Sequence, residues 1–272
     1  MTNNTDDKHP LDQALNLEPL GPGHWQGKTS PAYANMVGPF GGTTGATLLN
    51  AVLSHEELLG APVSLTVNFA APVADGPFDI IARPVRTNRS TQHWWVEQVQ
   101  NDQVVAFATA VTAVRRETWE STERTFPKIP MASDLELFNR AGRPGWTRNY
   151  DMRFVDGELM GPQNPDEPSL SRVWMRDEPP RPLDFLSLSA LCDAFFPRIY
   201  IRRPKLVPIG TVSLTTYFHA DQDLLDQAGR EHVFGSTRAN HFGKGYFDQS
   251  AEVWSKSGDL LATTHQIVYF KE

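Results

Sequence analysis

A single cysteine, Cys192, stands in 272 residues, so the chain can form no internal disulfide and no cysteine-based metal site. Positive charge is short as well. Against 32 Asp and Glu there are 25 Lys and Arg, a formal net charge of −7, the wrong sign for a surface that holds nucleic-acid phosphates. No apolar run approaches the roughly 18 residues of a membrane-spanning helix. G-x-S-x-G is absent, which argues against a serine nucleophile elbow. The histidines show no metal-ligand spacing, and His93, His219 and His265 stay unassigned. Gly41-Gly42-Thr43-Thr44-Gly45 lacks the lysine and the preceding strand of a phosphate loop, although such a helix start can still offer backbone N–H groups to an anion. Met1 to Lys8 is polar and acidic, unlike a signal or transit peptide, and Phe270-Lys271-Glu272 is no peroxisomal address. These absences leave a cytoplasmic enzyme or binding protein as the expectation, with no nucleic-acid or membrane partner and no metal.

What is present is a repeat. Val63-Ser64-Leu65-Thr66-Val67-Asn68-Phe69 returns as Val212-Ser213-Leu214-Thr215-Thr216-Tyr217-Phe218, with five of seven positions identical. Self-similarity of this kind points to one supersecondary unit written twice. An apolar helical run precedes each copy (44–59 and 185–197), and alternating segments follow. Gly45, Leu48, Leu49 and Val52 recur at helical spacing, whereas Val63, Leu65, Val67 and Phe69 alternate with polar residues at strand spacing. Strands are predicted at 78–87, 91–100 and 103–114, with Asn101-Asp102 as a turn, and two short ones within 17–30. The second half has candidates at 150–157, 169–175, 211–219, 231–239, 246–255 and 259–270. Residues 1–13 read as a loose tail. The Pro-, Gly- and charge-rich stretch 115–146 reads as a connector with one short helix near Asp134 to Arg140. Each half is thus a hairpin, one helix and a run of antiparallel strands, an α+β unit whose sheet must wrap the helix to bury it.

Gly38-Pro39-Phe40-Gly41-Gly42 before the first helix, Thr211 to His219 around the second heptapeptide, and Leu260-Leu261-Ala262-Thr263-Thr264-His265-Gln266 near the end occur in the order and spacing of one family. From about Leu17 to Phe270 the chain resembles the acyl-CoA thioesterases of the thioesterase II type. The resemblance implies a double hotdog: two tandem antiparallel sheets, each wrapped around one central helix. It assigns 1–115 to a non-catalytic N-terminal copy, 116–146 to the connector and 147–272 to the catalytic copy. It also implies acyl-CoA as substrate, no cofactor, and a homodimer or higher homo-oligomer. Asp193, Thr211 and Gln266 take the family's water-holding roles.

Each of these residues also has an ordinary reading. On a helical wheel Asp193 neighbours Leu186, Ser189, Ala190 and Phe196, where an unpartnered carboxylate is costly. Its alternative is an ion pair with Arg198 or Arg202. Thr211 shares a strand face with Ser213 and Thr215 and could be a plain β-branched strand residue. Gln266 lies with Ala262, Thr264, Val268 and Phe270, where its amide needs partners that neighbouring backbone could supply. Aligning the halves sets Asn50 against Asp193, Pro62 against Thr211 and Ala110 against Gln266, so the first copy has none of the three. Cys192 falls on the apolar stripe and reads as core. Arg198, Arg202, Arg203 and Lys205 form a basic cluster able to dock coenzyme A phosphates, or a solvated loop. Two other functions fit the fold less well. A hotdog hydratase or dehydratase would want a histidine near Asn164-Pro165-Asp166, and a non-catalytic acyl-CoA binder would have no use for the trio.

Overall fold

The computed structural model describes residues 8–159, 168–203 and 205–272. The first half comprises α1 (Pro10–Ala14), β1 (Glu18–Gly21), β2 (His24–Lys28), α2 (Gly41–Leu53), β3 (Ala61–Phe69), β4 (Pro77–Thr87), β5 (Thr91–Gln100) and β6 (Gln103–Ala113). The second half repeats the order with β7 (Tyr150–Asp156), β8 (Ser171–Asp177), α3 (Phe185–Leu191), α4 (Arg198–Arg202), β9 (Ile209–Phe218), α5 (Gln222–Ala228), β10 (Val233–Arg238), β11 (Phe242–Gly243), β12 (Tyr246–Trp254) and β13 (Leu260–Phe270). One antiparallel sheet runs β1-β2-β4-β5-β6-β3-β9-β13-β12-β10-β8-β7, with β11 appended to β12. Read from either edge inward, the strands come in the same order: the fold is a double hotdog.

The two heptapeptides are its centre. β3 pairs with β9 so that Thr66 lies opposite Thr215, its own counterpart in the repeat. Their hydroxyls meet at 3.0 Å, which marks a pseudo-twofold axis of the kind an isologous dimer interface would have. Both copies also carry the same irregularity. The β3–β6 register slips between Pro62 and Ser64, and the β9–β13 register slips opposite Ile267 and Val268, passing from Ser213 to Thr211. Val63 and Val212 are therefore the extra residues of matched β-bulges.

α2 and α3 pack against each other inside this sheet, and one hydrophobic core runs through both halves. Alternation explains the inner face: on β13, Thr264, Gln266 and Val268 are buried while His265, Ile267 and Tyr269 face out. The β5–β6 hairpin turns at Asn101 and Asp102, both at positive φ, a conformation these two residue types tolerate better than most.

Three local expectations need correction. Residues 10–14 are helical, with Leu11 fully buried, because an apolar i, i+4 pair (Leu11, Leu15) gives this segment a face to dock. The connector has a short 3-10 turn at Ala132–Asp134 and enters another at Gly145–Asn149, with no helix over 135–140. Instead it lays Phe126 and Ile129 against a second cluster of Trp174, Phe234 and Trp254. The helix expected over 185–197 stops at Leu191, turns through Cys192 and Asp193, and resumes as α4, since Pro197 disfavours helix at the residue before it.

Candidate active site

Asp193 does not stand on a helical face. It sits in the turn after α3, facing the N-terminus of α2. Its carboxylate accepts the Gly42 backbone N–H and a hydrogen bond from the Gln266 amide. The approach is close: a Cβ added at Gly41 would lie 2.7 Å from Asp193 Oδ2, and one at Gly42 would lie 2.6 Å from the Ala190 carbonyl oxygen. Glycine at both positions lets the start of a 13-residue helix lie directly against the carboxylate, where helix N–H groups and dipole favour negative charge.

The β9 bulge decides where Thr211 points. By simple alternation Thr211 would share the outer face with Ser213 and Thr215. The extra residue, Val212, reverses the parity. Thr211 therefore lies opposite buried Val268 and turns inward. Its hydroxyl donates to Gln266 Oε1 at 3.3 Å, while Gln266 Nε2 donates to Asp193 Oδ1 at 3.3 Å. The three predicted residues form one chain, Thr211–Gln266–Asp193, and all three line one cavity. The β3 bulge correspondingly turns Pro62 inward, opposite Thr112. Ala110 lies opposite Leu65 just as Gln266 lies opposite Leu214. Asn50 Nδ2 is bound to the Leu15 carbonyl at 2.8 Å. The corresponding place in the first half holds no acid, hydroxyl or free amide from these positions.

Electrostatics distinguish Asp193 from a structural carboxylate. Among the described residues no cation pairs with it, so the ion pair with Arg198 or Arg202 is absent. Burial raises its pKa from the ordinary carboxylate range to about 7, against the opposing pull of the Gln266 and Gly42 hydrogen bonds. Neutral donors hold the anion without locking it in the charged form. Cys192 beside it is fully buried, and burial pushes its thiol to about 12, which removes it as a nucleophile at neutral pH.

The cavity has a volume of about 730 Å³, within the range for small-molecule sites. Its walls come from both halves: Phe40 and Phe69 from the first; Phe195, Phe196 and Val268 from the second; Trp146 from just before β7. Phe40 stacks on Trp146 with centroids 4.4 Å apart. Met36, Val37 and Leu206 also line it and are largely exposed, giving the mouth an apolar rim.

The basic cluster divides. Arg198 is 0 % exposed and cannot meet a phosphate in solvent. Its guanidinium donates to the Phe196 and Ser169 carbonyls, Ser171 Oγ and Gln249 Oε1. It follows the turn that carries Asp193, and packing against β8 and β12 buries it, which local charge density did not reveal. Arg202, Arg203 and Lys205 stay at least partly exposed, and Arg203 pairs with Glu272. The Asn164-Pro165-Asp166 stretch lies outside the described residues. Two neighbours of the trio had no adequate signal in the sequence. The Gly41–Gly42 pair was visible as a helix start but not as a neighbour of Asp193, and Gln249, opposite Gln266 on β12, looked like an ordinary strand glutamine. Among the described residues there is no group of three or more His, Cys, Asp or Glu that could hold a metal ion, and no helix is long and apolar enough to cross a membrane.

The model of the acyl-CoA thioesterase C-terminal domain matches residues 123–270, and that of the acyl-CoA thioesterase N-terminal domain matches residues 30–113. Among solved structures, a hot dog-fold protein of unknown function from Alicyclobacillus acidocaldarius is 47% identical, with TM-score 0.94 over 97% of this chain and 99% of that one. An acyl-CoA thioesterase II from Mycobacterium marinum shares the fold at 18% identity and TM-score 0.78, over 96% of this chain and 98% of that one. Comparison with curated proteins gave no match.

Proposed function

The chain belongs to the acyl-CoA thioesterase family, and on that premise we propose that it hydrolyses acyl-CoA thioesters through a water held by Asp193, Thr211 and Gln266. The observation that carries this reading is Asp193: a carboxylate open to an apolar cavity, held by neutral donors, with a pKa near 7. Such a group is ionised often enough at neutral pH to act as a base, yet binds a proton readily enough to take one from water.

Asp193 accepts a proton as the water oxygen attacks the thioester carbon, and Thr211 and Gln266 orient that water. The carbonyl oxygen becomes an oxyanion. Gly41, at the first turn of α2, lines the cavity, and among the described residues its N–H has no hydrogen-bond acceptor, so it is free to donate there. Collapse of the tetrahedral species breaks the carbon–sulfur bond, and the departing thiolate takes back the proton from Asp193. The free acid and coenzyme A leave, and no acyl-enzyme forms.

In this reading residues 147–272 are the catalytic copy. Residues 1–115 supply the α2 N-terminus and part of the cavity wall, with 116–146 connecting them. Arg202, Arg203 and Lys205, next to the mouth residue Leu206, are the proposed anchor for coenzyme A phosphates. A cytoplasmic homodimer or higher homo-oligomer completes the proposal, with β1 and β7 as the two outer strands of the sheet.

The test is thiol release from acyl-CoA across a range of chain lengths. Release by the wild type, abolished in Asp193→Ala, is the expected result. Neutralising Arg203 and Lys205 together should raise KM for acyl-CoA with little effect on short thioesters that lack the nucleotide, because a remote anchor contributes uniform binding. Tight acyl-CoA binding without thiol release would identify a binding protein instead.

A further inference from the structure

Gln249 is 3 % exposed and lines the cavity, on the strand face it shares with Phe247, Ala251 and Val253. An amide in such a wall needs a reason, because an unpaired buried polar group is costly. Half of the reason lies behind it. The buried Arg198 guanidinium donates to Gln249 Oε1 at 3.3 Å. Arginine has donors only, so the glutamine must present its oxygen to Arg198. The Nε2 end, with two N–H donors, is thereby directed to the cavity side, and it makes no hydrogen bond to any described residue. Among the described residues Arg198 itself is bound to two backbone carbonyls and the Ser171 hydroxyl, with no carboxylate partner. It is a fixed buried cation that holds the amide in one orientation.

The register places this donor relative to the chemistry. Gln249 is directly opposite Gln266, whose own amide touches Asp193. Neighbouring strands lie about 4.8 Å apart. A group reaching Gln249 while the thioester carbon is at Asp193 therefore lies a few bonds from the carbonyl. Gln249 is buried whereas the mouth residues Met36, Val37 and Leu206 are exposed, so that group belongs to the acyl chain rather than to the coenzyme that must extend through the mouth.

We propose that Gln249 is a specificity-determining residue that donates a hydrogen bond to an oxygen on the acyl chain, so that the preferred substrates are acyl thioesters carrying a hydroxyl or oxo group near the thioester. The proposal rests on the hydrolase reading above and names the substrate class of that site. A plain alkyl chain leaves the two N–H groups desolvated and unpaired; an oxygenated one satisfies them. Discrimination of this kind is steep, because a site built to bond an oxygen rejects the analogue lacking it far more strongly than an apolar pocket rejects an extra one.

The experiment compares kcat/KM for a straight-chain acyl-CoA with that for its 3-hydroxy counterpart of equal length. Wild type should favour the hydroxylated chain. Gln249→Met removes the donors, and the ratio should then fall about tenfold or more. Gln249→Glu also removes them but can pair with Arg198, so it keeps the wall intact where the methionine variant fails to fold, and the same fall is expected. A wild type with no preference for the oxygenated chain, or variants that lose both substrates by one factor, would overturn the proposal. Release of thiol from neither substrate would refute the hydrolase reading itself. Binding of non-hydrolysable analogues of the two chains would then decide the specificity separately.

Discussion

At the scale of single residues the proposed chemistry turns on the cost of keeping Asp193 charged. Its pKa near 7 stands well above the ordinary carboxylate range, mainly because burial disfavours the ionised form. Two consequences follow with definite sign. A general base must be ionised, so kcat/KM should rise with pH through about 7 and level off above it, read from a pH–rate profile with a substrate that is itself stable over the range. The folded state binds this proton more tightly than the unfolded chain does. Asp193 therefore leaves stability undiminished below the unfolded carboxylate range and lowers it progressively as pH rises toward 7. Asp193→Asn should lower turnover about a thousandfold while raising the melting temperature at pH 8, because the ionisation cost is gone. Asparagine fits the site. Its oxygen can keep the Gly42 N–H, and the Gln266 amide can flip to accept from it while the Thr211 hydroxyl turns to accept in its place. A pH profile unchanged near 7, or a variant that melts lower at pH 8, would remove Asp193 as the strained base.

At the scale of elements, the site is made by three irregular features: a helix that stops early, a helix that starts against a carboxylate, and a bulge. α3 ends at Leu191, so Asp193 reaches the α2 N-terminus from a turn. The glycine pair at 41 and 42 permits the contact, and each position should fail differently. Gly41→Ala would drive a Cβ to within 2.7 Å of Asp193 Oδ2 and 3.3 Å of Phe69 Cζ, so turnover should fall by more than about tenfold with a modest change in melting temperature. Gly42→Ala would meet the Ala190 backbone oxygen at 2.6 Å, where nothing flexible can give way, and should cost stability first. Equal, small effects at both positions on rate and melting would mean the helix start does not bear on the reaction. Periodicity and resemblance made the regular parts legible: alternation marked β3 and β9, and the repeated heptapeptide marked them as counterparts. The trio was legible through the family resemblance, and the comparison of halves sharpened it, since the second copy departs from the first at positions 193, 211 and 266. The bulge at Val212, which turns Thr211 inward, was not. A one-residue slip depends on pairing with β13, and no local pattern records it. Arg198 misled for a related reason: charge density along the chain says nothing of what β8 and β12 bury.

At the scale of the molecule the pseudo-twofold at Thr66 and Thr215 builds two equivalent places and equips one. The helix start that faces Asp193 belongs to the first half, so the proposed catalytic place is assembled from both halves, and neither contains all of it. The mirror place has Asn50, Pro62 and Ala110 in corresponding positions. Asn50 is already tied to the Leu15 carbonyl, next to α1, whose Leu11 is fully buried. An amide cannot accept the proton, proline offers no hydroxyl and alanine no amide, so in the proposed reading the second place lacks the groups for the chemistry, while its asparagine ties down the end of the N-terminal helix. One active site per chain is the expected stoichiometry, measured by calorimetric titration with a non-hydrolysable acyl-CoA analogue. Asn50→Ala should leave turnover within about threefold of wild type while loosening the N-terminal segment by the loss of one partly buried hydrogen bond, about 1 kcal/mol. Two equivalent binding events per chain, or turnover that survives Asp193→Ala and is lost in Asn50→Ala, would assign the chemistry to the other half.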